Sequence, residues 1–278
     1  MPDARVTVMV ENTAGGRGLL GEHGLSFWIE LGQKRILFDT GQGYVLNGNA
    51  RRLGIGLELA DAIVLSHGHY DHTGGLSDAL QTARQATVHV HPAAFEAKFA
   101  RSPDGTTRDV GMPLLDEQKV REQAELVLVE APTEVFEGFH LTGPVPRTTD
   151  FEDTGGAFFK DKSCAEPDQL IDDQAAFIEA PAGTAVILGC AHAGVTNTLR
   201  YVQALTDKRP IHTVIGGMHL LNASLERMDR TVAELRRLDV RRLLPCHCTG
   251  FAGMARIWHE FPNRCSGCPV GTVVKVES

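Results

Sequence analysis

The chain has no run of apolar residues approaching the roughly 20 that cross a bilayer as a helix. It lacks an opening segment with a charged start, a long apolar core and a small-residue cleavage site, so no signal peptide is expected. Basic charge is in short supply. The 27 Lys and Arg stand against 35 Asp and Glu, leaving a formal net charge of -8. That balance argues, on bulk electrostatics, against a nucleic-acid partner and against an anionic membrane surface. The dense basic stretches, Arg236-Arg237 and Arg241-Arg242, bracket the end of an expected helix, where solvated cations are at home. Low-complexity segments and sharp internal repeats are missing as well. The six cysteines, in a chain of 278 residues without a leader, read as reduced thiols and not as a disulfide framework. A cytoplasmic protein acting on small molecules is the expectation, with a homo-oligomer left open.

What is present is ordinary for a globular enzyme: 42% apolar and 22% charged residues, in a length that can bury a sizeable core. Short strands are expected at Val6–Val10, Leu25–Ile29, Arg35–Phe38 and Ala62–Leu65, with a hairpin turn at Gly32. Helical spacing follows over 44–54 and 75–86, and a strand over Thr87–His91. From residue 184 strands and helices alternate: strand Ala185–Leu188, helix Thr196–Leu205, strand Thr213–Ile215, helix Ser224–Leu238, strand Arg242–Leu244. Between them, residues 92–180 hold seven of the 13 prolines and read as an insertion or lid-like segment, with strands near Leu126–Val129 and Gln174–Ile178. The pattern is that of α/β layers around two sheets.

The chemistry concentrates in His67-Gly-His69-Tyr-Asp71-His72, directly after the apolar run Ala62–Leu65. Imidazole nitrogen and carboxylate oxygen suit zinc, iron or manganese at neutral pH, and a loop carrying four such groups can serve two ions. Three further histidines, His192, His219 and His247, each stand where an expected strand runs into a glycine-containing turn. C-terminal strand ends are where sites gather in layered α/β folds, so these residues point to one shared centre.

The hexapeptide, the earlier Phe38-Asp39-Thr-Gly41, His192 and His247 resemble, in order, the motifs of the metallo-β-lactamase superfamily. The resemblance implies a four-layer αβ/βα sandwich with a binuclear centre at one edge. By position it assigns His67, His69 and His192 to the first metal and Asp71, His72 and His247 to the second, with Asp39 supporting the loop from behind. A narrower likeness lies in Gly21-Glu22-His23-Gly24-Leu25-Ser26, Pro146-Arg147, Asp172-Asp173-Gln174, Gly189-Cys-Ala-His-Ala-Gly194 and His247-Cys-Thr-Gly250. These resemble the branch typified by the dihydropterin–ribofuranosylaminobenzene phosphate synthase of methanopterin biosynthesis. One departure stands out. The carboxylate or cysteine that usually bridges the metals, on a strand between the last two histidines, is replaced by Gly216-Gly217-Met218-His219. His219 then either enters the bridging region as a ligand or acts as a proton donor.

A bound divalent ion brings the pKa of water to about 7 and polarises a carbonyl or phosphoryl oxygen. The expected activity is therefore metal-dependent hydrolysis of a phosphoester, or a related ester, of a small metabolite, with Asp71 orienting water. Zinc leads as the metal, ahead of iron and manganese. His23, Arg108 and Arg147 are candidate substrate contacts, the two guanidinium groups being suited to phosphate or carboxylate. Two rival readings remain. The branch resemblance implies condensation of a pterin diphosphate with an aminobenzene riboside phosphate. An iron-binding redox or sensor protein is the other. Cys246-x-Cys248 with Cys265-x-x-Cys268 raises a four-thiolate zinc. The tight first spacing, beside a ligand, favours buried thiols or a local Cys265–Cys268 redox pair instead.

Overall fold

The computed structural model describes residues 4–276. Strand alternation builds its first layer. β1 (Ala4–Val10), β2 (Ser26–Leu31) and β3 (Lys34–Phe38) are antiparallel neighbours. Gly32, in the turn between β2 and β3, has a φ of 56°, a conformation glycine adopts without steric cost. Phe27, Ile29, Ile36 and Phe38 enter one apolar cluster, while Trp28 and Leu37 enter another on the opposite face. After α1 (Leu46–Leu53) the chain forms β4 (Ala62–Val64), parallel to β3. α2 (Tyr70–Thr73) and α3 (Leu76–Thr82) then lead to β5 (Thr87–Val90), parallel to β4.

The stretch 92–180, expected as one insertion, is divided between three sheets. β6 (Phe99–Arg101) and β7 (Thr107–Asp109) pair with each other, and α4 (Glu117–Arg121) leads on to β8 (Leu126–Leu128), which extends the first sheet beside β5. β9 (Thr133–Phe136) and β10 (Phe139–Leu141) belong to the second sheet. β11 (Phe158–Phe159) pairs with β6, completing a small three-stranded sheet, and β12 (Ala176–Ala180) returns to the second. β8 and β12 lie where strands were expected, whereas β6, β7, β9, β10 and β11, of two to four residues, carry too little alternation to announce themselves between prolines.

The second half is more regular. β13 (Gly183–Leu188), α5 (Val195–Leu205), β14 (Ile211–Gly217), α6 (Leu225–Arg237), β15 (Arg242–Cys246) and α7 (Gly250–Glu260) alternate, and β16 (Val273–Val276) crosses back to pair with β1. Ser224 caps α6, its hydroxyl accepting the Arg227 N–H at 3.1 Å. The sheets run β16-β1-β2-β3-β4-β5-β8 and β15-β14-β13-β12-β10-β9. One core cluster joins their facing sides, with Phe27 and Phe38 meeting Ile178, Ile187 and Ile215. On the outer sides, Leu46, Leu76 and Leu80 of α1 and α3 cover the first sheet, and Leu199, Val232 and Ile257 of α5, α6 and α7 cover the second. This is a four-layer αβ/βα sandwich.

Strand direction decides where the reactive side chains end up. β3, β4 and β5 are mutually parallel, as are β13, β14 and β15. Asp39 follows β3, His67–His72 follow β4, and His192, His219 and His247 follow β13, β14 and β15. Each sheet therefore delivers its chemically active residues from C-terminal strand ends.

Candidate metal centre

Four imidazoles are oriented in the same way. His67 Nδ1 lies 2.9 Å from Ser66 Oγ, and that hydroxyl donates to Asp39 Oδ2 at 2.7 Å, so the imidazole N–H is the donor. His72 Nδ1 donates to Asp39 Oδ2 (2.7 Å), His192 Nδ1 to Thr154 O (2.8 Å) and His247 Nδ1 to Asn12 Oδ1 (2.9 Å). Fixing the proton on Nδ1 leaves the Nε2 of neutral His67, His192 and His247 with its lone pair, the tautomer a metal requires, and His72 joins them when it gives up its second proton. These Nε2 atoms converge. His72 Nε2 is 3.3 Å from His247 Nε2, and His67 Nε2 is 3.0 Å from His69 Nδ1. His192 Nε2 is buried without any hydrogen-bond partner.

Among the described residues five clusters of ligand atoms lie within 4.8 Å of one another, and two of them contain no thiol. His67, His69 and His192 present their ligand atoms within 4.8 Å of one another, as do His23, Asp71 and His247. Asp71 Oδ2 sits 3.4 Å from His247 Nε2 and 3.1 Å from His23 Nε2. The Nε2 atoms of His69 and His192 are both buried without a hydrogen-bond partner, and a cation among them would satisfy both. The donor set, all nitrogen, carboxylate and thiol, fits a divalent transition-metal ion.

The loop is gripped from behind. Asp39 accepts from Ser66 N (2.7 Å) as well as from Ser66 Oγ and His72, and Thr40 N and Oγ1 both donate to His72 O. Gly68 can be nothing larger: a Cβ there would lie 2.2 Å from Ala94 O. Its N–H donates to Asp172 Oδ2, whose other oxygen receives the buried Lys98 ammonium at 3.0 Å. Lys98 also reaches Asp168 at 3.2 Å. Gly155 leaves room for His219 in the same manner, since a Cβ would meet its Nδ1 at 1.9 Å. Asp39, Ala191, His219 and His247 all hold positive φ between 44° and 56°, so strained backbone gathers at this centre.

Burial holds His67 and His192 neutral, pushes His69 down to about 3, and with Arg227 takes His219 down to about 4. His72 behaves oppositely. Burial would lower it, but Asp39 and Asp71 outweigh that and raise it to about 9. Burial also works against ionised Asp71, yet the charge of His72 and a hydrogen bond from His23 hold its carboxyl well below the ordinary range. These shifts set a pH dependence for the metal-free protein. Below the ordinary histidine value of 6.5, the unfolded chain takes up protons that folded His69 and His219 refuse. Stability then falls as pH drops from 6.5 toward 4, by up to about 1.4 kcal/mol per pH unit for each such histidine. His72 contributes in the other direction, stabilising fully below 6.5 and losing that contribution as pH rises through 9. Melting temperatures of chelator-treated protein at several pH values check this; an unchanged melting temperature from neutral pH down to pH 5 would contradict it.

An open cleft of about 500 Å³ lies over the centre. The small sheet forms one wall, placing Arg101, Arg108 and Phe158 beside the histidines; the Phe158 ring is 4.9 Å from that of His69. His23 borders the cleft against Asp71, in keeping with a substrate contact. Arg147, expected in the same role, is used elsewhere: its guanidinium donates to His192 O (2.8 Å) and Gln169 O (2.6 Å). It holds the backbone of His192 and is not among the residues that line the cleft. The four-thiolate zinc is not formed among the described residues. Cys246 packs between the sheets while Cys265 lies under the outer helices, and neither joins a ligand cluster. The residue that sequence reasoning passed over is Cys190. It was legible as one more buried thiol, two positions before His192, yet its Sγ lies 3.1 Å from His72 Nε2.

Fold and site together define a metal-dependent protein built on two layered sheets, with a histidine-rich centre at their shared edge. A family model of the Metallo-beta-lactamase superfamily matches residues 20–247, and the chain belongs to that superfamily. It is 32% identical to an uncharacterised protein of Methanocaldococcus jannaschii over 91% of this chain and 93% of that one. It is 28% identical to the same organism's 7,8-dihydropterin-6-methyl-4-(beta-D-ribofuranosyl)-aminobenzene-5'-phosphate synthase, over 98% and 96% of the two chains. Among solved structures, a metal-dependent hydrolase of the beta-lactamase superfamily superposes with a TM-score of 0.84 at 30% identity, covering 99% of this chain and all of that one. Among the described residues, no helix is long and apolar enough to cross a membrane.

Proposed function

We propose that this chain is a metal-dependent hydrolase acting on a phosphoester, or a related ester, of a small metabolite. The observation that carries the reading is the pairing of a convergent His and Asp centre with Arg101 and Arg108 on the rim of the same cleft. His67, His69 and His192 would hold one ion, and Asp71, His72 and His247 a second, with zinc favoured by the nitrogen-rich set. When bound, the ions supply Lewis acidity and hydroxide at neutral pH.

The remaining roles fall to the chain itself. Arg108 and Arg101 bind and orient an anionic group at the mouth of the cleft. Asp71, ionised at neutral pH, accepts a hydrogen bond from water and aims it. His23, 3.1 Å from Asp71 and open to solvent, passes a proton to the leaving oxygen. Phe158 excludes water from the histidine side. His219 stays neutral and serves as a hydrogen-bonding group next to His192, their rings 4.4 Å apart.

A second reading is supported by the synthase relative: condensation of a pterin diphosphate with an aminobenzene riboside phosphate, with diphosphate leaving. Protein loaded with zinc, manganese or iron, assayed on nitrophenyl phosphomonoesters and phosphodiesters and on a lactone, separates these. Phosphoester turnover is the expected result. Silence on every phosphoester, with diphosphate released only when pterin diphosphate and the amine are both supplied, would replace hydrolysis by condensation.

A further inference from the structure

The six imidazole and carboxylate ligands proposed above include none at the β14 end, where a bridging carboxylate was expected. Cys190 lies close to both sets. Its Sγ lies within 4.8 Å of ligand atoms of His67 and His72, of His192 and His219, and of His247 and Cys248. Those residues come from both metal positions, so the sulfur sits at their junction. The side chain is 3% exposed, and His72 Nε2, 3.1 Å away, is itself one of the free ligand nitrogens. A second, independent sign is the unpartnered Nε2 of buried His192, which shares a ligand cluster with this sulfur. The neighbouring thiol of Cys248 is engaged differently, directed at the Cys190 carbonyl oxygen at 3.7 Å.

We infer that Cys190 is a thiolate ligand shared by the two metal positions, standing in for the absent bridging carboxylate from a different strand. The thiol enters from the β13 turn, two residues before His192, and not from the β14 end where Gly216 and Gly217 leave no donor. Ligation replaces the S–H bond by a metal–sulfur bond and releases one proton to solvent. A thiolate softens the site, favouring zinc or ferrous iron over manganese. Ligation by Cys190 depends on the metal centre and not on phosphoester hydrolysis, so a failed substrate panel leaves it standing.

Cobalt(II) titration of the metal-free protein tests it by absorption. The native chain should take up two equivalents and develop a near-ultraviolet thiolate-to-cobalt charge-transfer band. Cys190→Ser should lose the band, release less acid on metal addition and retain a single equivalent at His67, His69 and His192. Cys248→Ser should keep the band. Cobalt uptake by the native chain without the band, no uptake at all, survival of the band in Cys190→Ser, or its loss in Cys248→Ser would each overturn the assignment. Should Cys190→Ser fail to fold, X-ray absorption of the zinc-loaded native protein decides: a sulfur neighbour at about 2.3 Å supports it, and a shell of nitrogen and oxygen alone refutes it.

Discussion

Replacing His67 by alanine is expected to remove one metal equivalent and abolish turnover. On the proposed assignment its Nε2 is one of three nitrogens at the first position, beside His69 and His192, and all three residues are buried. The loss should exceed that of a residue that only orients a ligand, for which about 10–100-fold in metal affinity or activity is typical. Asp39→Asn supplies that comparison. It keeps the shape but removes the charge that raises His72 and fixes its ring, so it should fall within the smaller range. Elemental analysis of chelator-free preparations, with hydrolysis rates on the same samples, checks both. Full metal content in His67→Ala would sink the ligand assignment.

Lys98→Met should produce the largest loss of stability of any single change away from the ligands. The ammonium is 1% exposed and lies between Asp168 and Asp172, two carboxylates that are themselves buried. Removing one partner of a buried ion group leaves uncompensated charge and costs about 3–5 kcal/mol. In a chain of this size that lowers the melting temperature by on the order of 10 °C. The effect should also reach the metal, because Asp172 holds the Gly68 N–H between His67 and His69. Replacing Lys98, Asp168 and Asp172 together by uncharged residues should recover part of the stability, since no charge is then left alone. An unchanged melting temperature in Lys98→Met would show that water or rearrangement compensates the carboxylates.

How far the sequence alone reached depends on how local each signal is. His67-Gly-His69-Tyr-Asp71-His72 is readable because four ligand types fall in one turn. His192, His219 and His247 are readable because a long apolar strand announces each. The regular second half was legible for the same reason. The division of residues 92–180 was not: β9, β10 and β11 are two to four residues long, and β10 and β11 find their partners β12 and β6 some 40 to 60 residues away. Arg147 shows a different limit. A guanidinium satisfied by two backbone carbonyls looks, in sequence, the same as one waiting for a phosphate. Cys190 is the sharpest case, since nothing in its neighbours tells that its sulfur faces an imidazole from a loop more than a hundred residues earlier. Lys98 likewise gains its meaning only once β6 is set against the turn at Asp172.

The delivery of ligands from the ends of two separate sheets has a bearing on biosynthesis. A chain leaving the ribosome displays His67, His69, Asp71 and His72 while β13, β14 and β15 are still unmade. Any ion caught at that stage meets only half of its eventual partners, and water supplies the rest. On the proposed ligand set, retention would begin when His247 has emerged and β15 has docked beside β14. On that ligand set firm metal capture would need the chain up to His247, and products that stop short of residue 247 should exchange their metal freely with the surrounding pool.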